Sequence, residues 1–336
     1  MKHFFVWVLR ILLIAAVLFG CYELTLYLSG QFDPPAMVGY LDASQGELLV
    51  DAELLQQGAA DAQLRFSQRQ ALPSGLPAAA RQLCEEGAQA LVISLSEPLS
   101  RNTADEMLAL ARECGVTLIY TGEKPGEGAL GEENLAWYLG SDPALAGEVL
   151  GQRAAMLFRE GGAPDFNEDH LLQYLWLADE ADAHRGVLRR YILEECEHYG
   201  VYSNELGSLE GPADALYEQA LAEWGELAAR PEILLCSGPE AAETARQAAQ
   251  RLGWHAGTEG QELIPILCAA PNEPAARALL ETSGLAGCCY YDLEGVSRAL
   301  AQLAVNAAQH EFVARDTGLE PNGSEFLLPY KALLPG

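Results

Sequence analysis

The sequence predicts an α/β protein whose parallel sheets carry helices on both faces. Three observations carry that reading. Short β-like runs alternate with amphipathic helical stretches from Met37 onward. Many of those runs are continuously apolar, as strands become when helices cover both faces of a sheet. At 336 residues, half of them apolar, the chain can bury a large core and has room for two domains.

The strands expected from these runs are Met37–Leu41, Ala90–Leu95, Val116–Tyr120, Leu135–Leu139, Leu172–Ala178, Ile233–Cys236, Ile264–Cys268 and Leu285–Tyr291. The intervening helices are expected at Leu76–Glu86, Thr103–Cys114, Pro143–Arg159, Asp182–Tyr199, Pro212–Ala228, Pro239–Leu252 and Glu273–Thr282. These are too many βα units for one ordinary open sheet, and a break falls near Gly140-Ser141-Asp142-Pro143. Ligands of open α/β sheets sit beyond the carboxyl ends of the strands, so the residues that follow each strand are the ones to examine.

The amino-terminal segment is of another kind. Lys2 and Arg10 flank an apolar stretch over residues 11–28, interrupted mainly by Glu23 and Thr25. With residues 4–9 added and Arg10 snorkelling, it is long enough to span a bilayer. Basic residues before it place the rest of the chain outside the cytoplasm. An uncleaved anchor over residues 1–30 is the reading adopted. Lipid attachment at Cys21, through the imperfect box Leu18-Phe19-Gly20-Cys21, and simple secretion are the alternatives.

Composition excludes several functions. Lys plus Arg is 20 against 48 for Asp plus Glu, a net charge of −28. Phosphate backbones are repelled by such a field, so nucleic acid is excluded as the main partner. There is no G-x-G-x-x-G after the first strand, no Walker A loop, no G-x-S-x-G and no paired-histidine zinc motif among the six His residues. Nothing brings nucleophile, base and oxyanion donors together, so no enzyme is expected. The eight cysteines include no C-x-x-C and define no disulfide framework; for an external protein this hints at a reducing habitat.

Three segments are more specific: ALVISLSEP (Ala90–Pro98), GVTLIYTGEKP (Gly115–Pro125) and AWYLGSDPALAGEVLGQ (Ala136–Gln152). Together they resemble the extracytoplasmic sugar-binding proteins of the type I periplasmic-binding family, most closely its galactose/glucose-binding branch. The resemblance implies two Rossmann-like lobes joined by a hinge, the first of 36–140 plus 292–313 and the second of 144–288 plus 318–333, with a small molecule captured between them by closure. It implies an ABC permease as partner; a membrane-tethered sensory role acting on a receptor kinase is the alternative.

Within that resemblance, PDFNEDHLLQ (Pro164–Gln173) is the strongest local match and implies structural calcium. Asp165, Asn167 and Asp169 stand at positions 1, 3 and 5 of an EF-hand-like loop, with Leu171 offering its carbonyl at 7 and Gln173 at 9. His170 replaces the usual Gly at position 6, and the last acid comes from Glu232 at a distant strand start. The sugar site is largely substituted. Asp42 alone remains of the cluster after the first strand, and Arg185 alone of the polar run before the binding arginine. Leu209 stands where a stacking Trp is expected. Candidate ligand contacts are therefore Asp42, Glu97, Glu123, Asp179, Arg185 and Asp292, facing a polyhydroxyl or cationic molecule. Arg185 has the fork to clamp an anion or a hydroxyl, or else pairs with its own acidic helix. Weak or no binding of glucose and galactose is expected.

Overall fold

A computed structural model describes residues 35–46, 48–126, 128–130, 134–182, 184–254, 264–283 and 285–335, together with 17, 19 and 21. The first sheet holds β1 (Met37–Ala43), β2 (Arg65–Gln70), β3 (Ala88–Leu95), β4 (Thr117–Gly122), β5 (Ala136–Ser141) and β11 (Glu325–Leu328), in the order β11-β5-β4-β3-β1-β2. The second repeats the plan with β6 (Leu172–Asp179), β7 (Ser203–Gly211), β8 (Ile233–Cys236), β9 (Ile266–Ala270), β10 (Gly287–Tyr290) and β12 (Lys331–Leu333), in the order β12-β10-β9-β8-β6-β7. Every pairing is parallel except that of β12 with β10.

Each sheet carries helices on both faces, and each face has its own core. In the first lobe α2 (Leu76–Glu85) and α3 (Arg101–Cys114) cover one face. The other is covered by α1 (Ala52–Asp61) and α9 (Leu293–Ala308), with Val38, Val92, Ile119 and Leu300 buried between. In the second lobe α4 (Pro143–Arg159) and α5 (Arg185–His198) lie on one face. The opposite face takes α6 (Ala213–Gly225), α7 (Pro239–Arg251) and α8 (Glu273–Ser283).

Local chemistry sets where these helices begin. Asp51 caps α1 by accepting from Glu53 N–H at 3.0 Å, and Ser100 caps α3 by accepting from Thr103 N–H at 3.2 Å. Asp142 caps α4 with Pro143 at the first helical position. Within α4, Gly147 and Gly151 face α5 so closely that a Cβ on Gly151 would lie 2.5 Å from the Ile192 carbonyl oxygen. The A-G-x-x-x-G spacing therefore sets the approach of the two helices.

The chain crosses between lobes three times, after β5, after β10 and between β11 and β12, each time from the carboxyl end of a strand. The last crossing alters the expected division. Glu325–Leu328 pairs with β5 and belongs to the first lobe; only Lys331–Leu333 of the segment 318–333 joins the second sheet. The edge strands β2, β7, β11 and β12 and the helices α1 and α9 go beyond the elements read from sequence. Cys236, Cys268 and Cys288 lie in register on β8, β9 and β10, buried as small apolar groups. Cys114 is exposed at the end of α3.

Among the described residues no helix is long and apolar enough to cross a membrane. The expected anchor lies outside the described residues, apart from positions 17, 19 and 21.

Candidate functional site: an interlobe cleft and an acidic loop

Register places Asp42, Ser94 and Thr121 side by side at the carboxyl ends of β1, β3 and β4. Asp42 Oδ1 accepts from Ser44 N–H at 3.1 Å, from Ser44 Oγ at 2.6 Å and from Ser94 Oγ at 3.2 Å. Tyr40 hydroxyl and Ser94 Oγ are 3.0 Å apart, which lets Tyr40 donate to Ser94 as Ser94 donates to Asp42. Burial, with the Asp42 charge as a smaller contribution, pushes the Tyr40 phenol up to about 12 against the Ser94 hydrogen bond. The carboxylate is thus held in one orientation before any ligand arrives.

Thr121 is wholly buried, yet its hydroxyl makes no hydrogen bond. Tyr291, where the chain crosses from β10 to α9, also has a buried hydroxyl without a partner. Burial pushes that phenol up to about 12, against the approach of the Thr121 hydroxyl, which is too loose for a well-formed hydrogen bond. Gly122 follows Thr121 with φ +79°, and a Cβ there would stand 2.3 Å from the Leu95 carbonyl oxygen. Only glycine fits, and the turn it makes delivers Glu123, whose N–H bonds the same carbonyl at 2.8 Å.

Glu123 reaches the other lobe. Its Oε1 is 3.0 Å from His184 Nε2, at the start of α5. The hydrogen bond to His184 holds the Glu123 carboxyl below its usual range, and the same bond raises the His184 imidazole. Glu97 is exposed and is approached by Gln45 Nε2 at 3.4 Å.

On the second-lobe side most charged groups serve their own loop. Asp179 accepts from Ala181 N–H at 2.9 Å, and its own N–H donates to Ser237 Oγ at 3.3 Å. Arg185 donates through Nε to Glu210 Oε2 at 2.9 Å and through Nη1 to the carbonyls of Glu180 and Asp182, at 3.1 and 2.8 Å. Of the two roles open to Arg185, pairing within its own lobe is the one that the geometry realises. Asp292 caps α9 and pairs with Lys331 Nζ at 2.6 Å. Leu209 is buried in the second-lobe core rather than presented to the cleft.

The six residues of the acidic loop come together. Glu232 is completely buried and accepts from Phe166 N–H and Gln173 N–H, both at 2.9 Å. Burial first, then the charges of Asp165 and Asp169, raise its pKa, while the two backbone donors act against them. Asp169 accepts from Leu171 N–H and from Gln173 Nε2, each at 2.8 Å. His170 holds φ +61°, the left-handed conformation that position 6 demands. Asp165 Oδ1 is buried and has no partner. That orphaned oxygen and the buried Glu232 carboxylate suit a hard cation. Gln173 turns its amide nitrogen toward Asp169 and its oxygen toward Asn204 Nδ2 at 2.6 Å; flipping both amides aims an oxygen inward with no other movement. Among the described residues no three His, Cys, Asp or Glu side chains form a group that could hold a metal ion.

Sequence reasoning singled out the carboxylates and missed Tyr40, Ser94 and His184. The two hydroxyl residues occupy strand positions that read as core, and only the register reveals that they support Asp42. His184 carried no motif.

No protein-family model matches the chain. The D-galactose/methyl-galactoside binding periplasmic protein MglB of Haemophilus influenzae is 25% identical over 252 residues, 74% of this chain and 72% of that protein. Solved structures share the fold at lower identity. One from Mycobacterium smegmatis has a TM-score of 0.66 at 13% identity, covering 90% of this chain and 92% of the other. The arabinose binding protein AraP of Geobacillus stearothermophilus gives 0.63 at 12%, covering 90% and 97%. An ABC transporter periplasmic solute binding protein from Actinobacillus succinogenes with bound D-allose gives 0.58 at 12%, covering 89% and 98%. The fold is that of the type I periplasmic sugar-binding proteins, as the segments from Ala90 to Gln152 imply.

Proposed function

We propose that this chain, a homologue of MglB with the type I periplasmic-binding fold, is an extracytoplasmic solute-binding protein serving an ABC transporter. It captures a small polyhydroxyl molecule between its lobes and performs no chemistry on it. The observation that carries the reading is the first-lobe rim. There an oriented carboxylate, Asp42, stands in register with Thr121, whose buried hydroxyl lacks a partner, as does that of Tyr291. A buried unpaired hydroxyl is unfavourable by about 1–3 kcal/mol, and ligand hydroxyls entering the cleft relieve it. Glu97 follows the carboxyl end of β3 and Asp179 ends β6.

The reading extends to the amino terminus and to the acidic loop. The apolar stretch over residues 11–28 supports a membrane anchor, with the lipoprotein form through Cys21 as its variant. Asp165, Asn167, Asp169, Gln173 and Glu232 would hold calcium through side chains and Leu171 through its carbonyl. The ion would neutralise carboxylates that otherwise repel one another.

A thermal-shift screen over hexoses, pentoses, polyols and polyamines, followed by calorimetry, tests the function. At least one sugar or polyol is expected to bind near micromolar, about −8 kcal/mol, with glucose and galactose weak because most of the branch's polar contacts are substituted. A protein whose melting is unmoved by every member of the panel overturns the reading.

A further inference from the structure

We propose that Glu123 and His184 form a proton-controlled clasp between the lobes, so that Glu123 positions the closed cleft instead of contacting the captured molecule. The inference rests on the reading that closure captures the ligand.

The placement of the two residues carries it. Glu123 is fixed to the first lobe through its N–H bond to Leu95 O, and His184 to the second through its N–H bond to Asp182 Oδ1 at 2.9 Å. Their side chains then meet at 3.0 Å, each part exposed, at 37% for Glu123 and 46% for His184. Of the neighbouring ion pairs, two stay within one lobe and one joins the lobes at the hinge. Lys124 bonds Glu325 within the first lobe, and Arg185 bonds Glu210 within the second. Lys331 with Asp292 joins the hinge crossing itself.

The surroundings favour a protonated imidazole. His184 is faced by Glu123 from the end of β4, by Asp182 from its own turn and by Asp142 from the start of α4. Glu123 is faced by His184 and, from its own lobe, by Tyr138. Solvent reaches both groups, so bulk pH sets their charge.

The direction of the effect follows. Closure raises the proton affinity of His184, so its contribution is complete below the ordinary value of 6.5 and is lost as pH rises through the raised value. Closure lowers that of Glu123, so its contribution is present above the ordinary 4.5 and is lost as pH falls through the lowered value. The clasp is therefore strongest in mildly acidic solution and weakens on the alkaline side. For a part-exposed pair the open-to-closed ratio should rise about threefold between about pH 6 and about pH 8.

Small-angle scattering of the sugar-free protein at those two pH values reads the ratio directly. The wild type should expand at the higher pH, and Glu123→Gln and His184→Gln should each abolish the difference. In parallel, histidine NMR should place the His184 midpoint above its ordinary value in the wild type and nearer to it in Glu123→Gln. Unchanged dimensions across this range, or a His184 midpoint indifferent to Glu123→Gln, overturns the clasp. Because no sugar is present, the outcome is separate from the functional reading. A protein that opens with pH yet responds to no sugar keeps the clasp and loses the function; a sugar-binding protein indifferent to pH does the reverse.

Discussion

The rims of the two lobes use their polar groups in opposite ways. On the first lobe, Ser44 and Ser94 orient Asp42, and Thr121 and Tyr291 bury hydroxyls that approach each other without a well-formed hydrogen bond. On the second, Arg185 and Asp179 are engaged with their own loop. Polar groups already satisfied by their neighbours gain little from a ligand, whereas buried unsatisfied ones gain most. The difference predicts that recognition resides in the first lobe, with the second acting as a cover. The acidic loop lies at the opposite end of β6 from that rim.

The strongest way to test this division is to act on the cover alone. Calcium at about 100 times its dissociation constant should add about 2.7 kcal/mol of stability to the second lobe. Melting curves of metal-stripped protein should rise with calcium and fall with chelator, and Glu232→Gln should blunt the response. Coincident curves in calcium and chelator would show an acidic turn that needs no ion.

Next in size is the contrast between the rims. Asp42→Ala removes an oriented carboxylate acceptor, so affinity for the best sugar or polyol from the screen should fall about thirtyfold, near 2 kcal/mol. Arg185→Ala should leave that affinity within about twofold. Its effect should appear in the melting temperature instead, because the guanidinium ties together the turn after β6. Calorimetry and melting on both variants decide the matter. Equal losses of affinity would mean that both lobes read the ligand.

The same contrast marks what the sequence could reveal. Central runs such as Ala90–Ile93 and Tyr174–Ala178 are apolar throughout, because helices cover both faces, and they were legible as strands. The edges were not. Arg65–Gln70 alternates exposed and half-buried positions and carries two Arg residues, and Ser203–Gly211 is mostly polar, so each resembles a loop. Lys331–Leu333 is only three residues long and owes its pairing to β10. In the site, the loop from Asp165 to Gln173 was legible because its donors lie at fixed spacing. Ser94 and His184 were not, since register in one case and lobe approach in the other brings them to their partners. Such contacts depend on residues more than fifty positions away.

The smallest expected effect is also the most discriminating. Thr121→Val keeps the side-chain shape and replaces the unpartnered hydroxyl with a methyl group. In the sugar-free protein this should leave stability unchanged or slightly higher, because a polar group buried without a bond is lost. If a ligand hydroxyl pairs with Thr121, the same substitution should weaken binding about fivefold, near 1 kcal/mol. A purely structural Thr would lower stability and leave affinity alone, the opposite pattern. Melting without sugar and calorimetry with the best sugar or polyol from the screen separate the two. A less stable Thr121→Val protein with unchanged affinity would remove Thr121 from the recognition surface and leave Asp42 and Tyr291 to account for it.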